Sequence, residues 1–310
     1  MERITGSLRI LLPVALMLAL GVLCRRKKLI SRAGVDALKT VAVQIGLPAV
    51  LLHTFAVTRY TLMDLLIPLI MYLICIAAWL LGRAGGRLLR LPGRFTPFLT
   101  TGFEAGMLGY ALFTLLHGGD RVAEFARIDL GQVLFVFTLY KILLGRGGDS
   151  RPTAGQLMRE MLASPIILAI LAGVLLGATG LYQALIPSGA AGILDACTDF
   201  VSAPVSALIL LSIGYDLKLS DISWRATLGA VGLRLAIMAA LGAGMMLLCR
   251  LLWQGPGLDA AVILMFILPP PYVLPVFADD ADQRAYLSSA LSVSTLISIL
   301  GFGVLALLGI

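Results

Sequence analysis

The sequence predicts an all-α polytopic membrane protein of ten transmembrane helices, built as two five-helix repeats of opposite orientation. Three observations carry that prediction. Of the 310 residues, 59% are hydrophobic and only 13% charged, with a mean hydropathy of +0.98, whereas a soluble domain carries roughly 25% charged residues. Apolar stretches of near bilayer-spanning length follow one another along the whole chain. The basic residues concentrate in alternate connections between those stretches.

The stretches run at 7–24, 38–57, 62–82, 96–117, 128–145, 164–180, 192–215, 226–249, 258–278 and 286–308. Ten helices of about 20 residues leave too little chain for a soluble catalytic or nucleotide-binding domain. The first stretch runs into Arg25-Arg26-Lys27-Lys28 without a small-residue cleavage site, so it is expected to be a retained helix. The odd-numbered connections hold 15 Lys and Arg, and the even ones with the two termini hold 5. This bias sets the odd connections in the cytoplasm and both termini outside. It also accounts for the formal charge of +7 without a nucleic-acid partner. Cys24, Cys75, Cys197 and Cys249 lie in or beside apolar runs with no CxxC pair, and read as small buried hydrophobes.

The repeat shows in offsets. Pro13 precedes the Gly21-Val-Leu triplet as Pro165 precedes Gly173-Val-Leu. Leu38 leads Pro48 as Leu194 leads Pro204, and aligning Phe113 with Phe277 sets Gly106 against Pro270. Offsets of about 150–165 residues divide the chain into a first half, 1–150, and a second, 151–310. Five helices per half force the second half to enter the membrane from the opposite side, as in many secondary transporters.

Candidate functional residues are the polar ones at membrane depth, since a charge there costs at least about 2.5–3.5 kcal/mol. Glu104 stands out in the fourth stretch, among Gly102, Gly106 and Gly109, which weaken the helix and permit close backbone approach. It suits a coupling ion, a proton or substrate orientation; the plain alternative is a packing ion pair. In the ninth stretch Pro269, Pro270, Pro271 and Pro275 remove four backbone donors and break the helix. A broken backbone at that depth belongs beside protein or a water-filled cavity. Gln44 and His53 in the second stretch are weaker candidates. In the seventh, Asp195 and Asp199 share a helix face near Ser202, and line either an entrance or an exposed connection. Arg234 is expected to snorkel toward an interface. The cluster Asp279, Asp280 and Asp282 reads as the capped start of a helix rather than a metal site. The run from Arg83 to Arg94 reads as an orientation signal and lipid-headgroup anchor. No P-loop, HExxH or nucleophile–base pair is present, so the chain is not read as an enzyme and no cofactor is expected beyond H⁺ or Na⁺ as a coupling ion.

Four segments resemble the auxin efflux carrier family, the bacterial relatives of plant PIN-FORMED carriers and malonate- or malate-type permeases. They are GLPAVLLHTFA at 46–56, GFEAGMLGYAL at 102–112, LMREMLASPIILAILAGVLLG at 157–177, and ILPPPYVLPVFADD with the following SVSTLISIL. The resemblance implies a scaffold of the first, second, sixth and seventh helices and a moving part of the third to fifth and eighth to tenth. It implies that the fourth and ninth helices cross at their breaks. It implies transport of a small organic anion across the bacterial inner (cytoplasmic) membrane by alternating access; symport, contact with lipid and a second copy of the chain as partner are further expectations. The chain departs from the family at Glu104, where Asn is frequent, and at Ala111, where Pro is frequent. An acid there repels a carboxylate unless it is protonated or cation-bound. The alternatives are a bile-acid/sodium-symporter-like carrier, an intramembrane transferase using the Asp279–Asp282 cluster with Mg²⁺, and a non-transporting sensor on the same fold.

Overall fold

A computed structural model describes residues 2–58, 63–145, 154–217, 224–252, 257–278 and 280–309. Among these the chain is helical, with no strand. Five helices are long and apolar enough to cross a membrane: Arg32–Val57, Leu66–Leu88, Ala190–Asp216, Trp224–Leu252 and Ala281–Leu308. Ala105–His117 and Pro165–Ala178 are apolar but shorter. Much of the apolar surface faces outward: Leu12, Leu88, Leu175, Phe200 and Leu251 are each more than half exposed. Long apolar helices that leave such side chains uncovered fit a lipid environment, and the molecule is an all-α protein of membrane type.

The chain divides into two compact units, Met1–Asp64 with Gly106–Ala126 and Thr153–Asp216, and Leu65–Ala105 with Arg127–Pro152 and Leu217–Ile310. Each unit takes segments from both halves of the sequence.

In the first unit, small residues set how closely the helices approach. Helix Glu2–Arg26 packs along Val205–Asp216. A Cβ at Gly21 would lie 2.1 Å from the Leu211 carbonyl oxygen, and one at Gly214 would lie 2.2 Å from that of Leu18. Helix Pro165–Ala178 packs along Leu47–Val57, with the Gly173 position 2.7 Å from the Leu52 carbonyl. Without a side chain at these points the backbones reach van der Waals contact, which drives association where water is absent. Gly21 and Gly173, which the sequence sets at matching places, therefore do the same work in different helix pairs. A π-turn at Ala42–Gly46 precedes Pro48, and Lys39 and Arg32 both pair with Asp216 at one end of the unit.

In the second unit Gly82 and Gly86 abut Thr100 and Thr96, and Gly131 abuts the Pro68 carbonyl. Phe98, Phe135 and Tyr140 form an edge-to-face aromatic cluster, which Tyr72 joins through Phe135 and Trp79 through Phe98. Cys75 and Cys249 are buried as expected, whereas Cys197 is exposed.

Candidate functional site

The two interrupted segments meet in the second unit. From the fourth stretch a single helical turn, Thr96–Leu99, ends at Thr100, and the chain runs without helix to Glu104 before resuming at Ala105–Gly109 as a π-turn. Gly102 holds φ +68°, a left-handed conformation that only glycine adopts without strain. From the ninth stretch, helix Asp259–Ile267 stops at Leu268, and after the three prolines a 3₁₀ turn forms at Leu274–Phe277. Pro270 and Pro271 are buried at the break, and Pro275 lies half-buried in the 3₁₀ turn.

The segments pair through their backbones. Glu104 N–H donates to the Pro269 carbonyl at 2.9 Å. Pro269, Pro270 and Pro271 offer no donor, so Tyr272 carries the first N–H of that stretch, and it donates to Glu104 Oε2 at 2.6 Å. The Tyr272 hydroxyl in turn shares a hydrogen bond with Thr295 Oγ1 at 2.8 Å. The half-buried Glu104 carboxylate thus stands in for the backbone acceptor that a continuous helix would supply.

Carbonyls at the broken ends find a donor in Arg234, which does not snorkel: it is 3% exposed. Its Nη1 donates to the Leu99 carbonyl at 3.0 Å, and its Nη2 to Gly102 at 2.9 Å and Leu268 at 2.8 Å. The guanidinium lies 5.4 Å from the centre of the Phe103 ring, which meets Phe266 edge-on. One side chain therefore ties Trp224–Leu252 to both breaks. Ser298 donates to the neighbouring Ile267 carbonyl, so consecutive acceptors of the ninth-stretch break are answered.

The glycines differ in what they tolerate. A Cβ at Gly102 would lie 3.0 Å from Pro271 Cγ in a backbone already left-handed, while one at Gly106 would meet Leu47 Cδ2 at an ordinary 3.5 Å. Gly102→Ala is expected to cost about 2 kcal/mol and Gly106→Ala less than about 1 kcal/mol, a difference that thermal unfolding reads directly. Gly106 and Gly109 both belong to the π-turn, and Gly109 is buried.

The first unit holds a separate cavity of about 540 Å³. His53, Thr54, Tyr110, Asp195, Asp199 and Ser202 contribute its polar lining, with Ala111 among the apolar walls. His53 Nε2 lies 3.1 Å from Asp195 Oδ1. The Tyr182 hydroxyl donates to Asp195 Oδ1 and Oδ2 at 2.9 and 3.1 Å. Burial, followed by that hydrogen bond, pushes the Tyr182 phenol up to about 12, so it remains a donor across the physiological range. Its ring packs among Ala56, Ala191 and Leu194, which fixes the hydroxyl on Asp195. Asp195 and Asp199 both lie on helix Ala190–Ser202 and border this cavity, Asp195 part-buried and Asp199 exposed. Ser202 donates to the Asp199 carbonyl at 3.1 Å. Asp195→Asn is expected to change the unfolding free energy by less than about 1 kcal/mol, because its partner His53 is partly exposed, while abolishing any ligand-induced stabilisation at the cavity.

Gln44 is exposed within the Ala42–Gly46 π-turn and is not among the cavity's lining residues. Sequence reasoning missed Arg234 as a site residue, together with Tyr272 and Tyr182. Its basis for finding Arg234 was there, as a charge inside an apolar stretch that needs a partner. Asp280 caps Ala281–Leu308 by accepting from Gln283 N–H at 2.7 Å, and Asp282 lies in the first turn; Asp279 lies outside the described residues. Among the described residues no group of three or more His, Cys, Asp or Glu could hold a metal ion. No protein-family model matches the chain, and a search of curated proteins finds no match.

Proposed function

We propose that the chain is a secondary active transporter of a small organic anion, working by alternating access in the bacterial cytoplasmic membrane with both termini outside. The observation that carries this reading is the Glu104–Tyr272 hydrogen bond between two interrupted apolar segments. Interrupted backbone at membrane depth is costly and recurs where transporters bind cargo and coupling ions. The matched roles of Gly21 and Gly173 support an internal repeat, which two five-helix halves would supply. The resemblance to the auxin efflux carriers points the same way.

The coupling ion in this proposal is H⁺, carried by Glu104. Carbonyls at half-helix ends serve elsewhere as cation ligands, and here Arg234 already takes those of Leu99, Gly102 and Leu268. This favours the proton over sodium and sets the reading apart from a bile-acid/sodium-symporter-like carrier. Asp280, one of the three aspartates on which the transferase alternative rests, accepts from Gln283 N–H as a helix cap.

The cavity in the first unit shapes the cargo. It presents Asp195 and Asp199 and, among the described residues, neither Lys nor Arg. A carboxylic acid would therefore enter protonated. The second reading is a cargo bearing a cationic group, which the same lining favours. A thermal-shift screen of the purified protein against organic acids and amines, across pH and in Na⁺ or choline, tests both. The proposal expects acids to stabilise more as pH falls, with no Na⁺ requirement. Stabilisation by amines alone supports the second reading, and a Na⁺ requirement contradicts proton coupling.

A further inference from the structure

The second unit contains a cavity of about 740 Å³ that the proposed transport chemistry does not use. It is lined by Arg83, Arg87, Arg90 and Arg94, with Trp79 and Phe98 among its apolar walls, and by no acidic residue among those described. We propose that this cavity is a binding site for the phosphate-bearing headgroup of an anionic phospholipid.

Positive charge that serves orientation alone has no need to converge. Here it converges, and the local structure explains how. Arg83 and Arg87 sit one turn apart at the end of helix Met63–Leu88. Gly82 and Gly86 on that helix bring it against Thr100 and Thr96, leaving no room for side chains there. The helix then closes with Leu91 N–H donating to the Gly86 carbonyl at 2.9 Å and Arg90 N–H to that of Arg87 at 3.2 Å. This closure places its next-to-last residue in the left-handed region, a position where glycine is the usual choice. The chain uses Arg90, at φ +52°. An arginine held in a strained conformation that turns it to a cavity of its own charge is an arrangement in need of an anion.

The apolar surroundings select the source of that anion. The Arg83 guanidinium lies 5.6 Å from the centre of the Trp79 ring and that of Arg94 lies 4.9 Å from Phe95, so the cationic heads rest on an aromatic floor. Leu81, Leu88 and Leu89 nearby are exposed, Leu88 at 82%, and offer a surface for acyl chains. Arginine forks match phosphate oxygens in pairs, and basic pockets at the membrane boundary hold anionic headgroups. A soluble phosphate would use the arginines but not the leucines.

The test is thermal unfolding of the full-length protein in neutral detergent with added cardiolipin, phosphatidylcholine or inorganic phosphate. Cardiolipin is expected to raise the midpoint saturably, and the other two are expected to leave it unchanged. The exposed Arg83→Gln and Arg87→Gln variants, singly and together, are expected to fold and to lose the rise. Arg90→Gly separates binding from folding: it is expected to raise the midpoint in the absence of lipid, by relieving the left-handed arginine, while weakening the cardiolipin response. An equal rise with phosphatidylcholine, or an undiminished cardiolipin response in all these variants, would overturn the proposal. A rise with inorganic phosphate alone would assign the cavity to a soluble anion and overturn the lipid assignment.

Discussion

Replacing Arg234 by methionine is expected to unfold the protein or to lower its thermal midpoint by roughly 10 °C or more. The side chain is 3% exposed and donates to three backbone carbonyls at 2.8–3.0 Å. Methionine preserves much of the volume and removes every donor. Each buried acceptor left without a partner costs about 1–3 kcal/mol, and in a lipid environment no water arrives to replace the guanidinium. Arg234→Lys is expected to fall between wild type and methionine, because an ammonium keeps the charge but lacks the planar fork that reaches both breaks. Differential scanning fluorimetry in detergent reads the series. Equal midpoints for all three proteins would show that Arg234 does not hold the interrupted segments together.

The second large effect concerns activity rather than stability. Glu104→Gln is expected to fold normally and to abolish proton-driven uptake in proteoliposomes. Glutamine keeps an oxygen able to accept from Tyr272 N–H, now 2.6 Å from Oε2, so the loss in stability should stay within about 1 kcal/mol. What it cannot do is take up and release a proton. Glu104→Ala removes the acceptor as well, and is expected to lose both uptake and thermal stability. The pair of variants separates the two parts played by one carboxylate: capping the Tyr272 amide and carrying charge.

These residues also mark how far the sequence could be read. The breaks were legible because proline and glycine act locally: three consecutive prolines cannot donate to a helix wherever they fall. Glu104 was legible because a carboxylate among glycines in an apolar stretch has few structural explanations. Arg234 was misread as a snorkelling residue because its partners, Leu99, Gly102 and Leu268, are backbone carbonyls that leave no mark in the sequence and lie 135, 132 and 34 positions away. Asp195 could be placed on a helix face with Asp199, but its contact with Tyr182 depends on a packing cluster formed by separate helices. Gln44 lies inside a departure from regular helix that apolar periodicity does not signal. The Ala42–Gly46 segment winds as a π-turn, which adds a residue to the turn and shifts the faces that follow. The four arginines from Arg83 to Arg94 looked irregular in the sequence because the helix ends between them. Only the left-handed closure at Arg90 brings them to one cavity.

The central claim, that Glu104 couples cargo movement to a proton, is tested most directly by recording proton flux itself. Proteoliposomes carrying a pH-sensitive dye, charged with no Na⁺ and no imposed gradient, are exposed to a stabilising acid from the thermal-shift screen. Cargo-dependent acidification of the lumen beyond that of protein-free liposomes is expected with wild-type protein, and none beyond it with Glu104→Gln, although both bind the acid. Equal acidification by the two proteins, or uptake of cargo by wild type with no movement of protons, would contradict it.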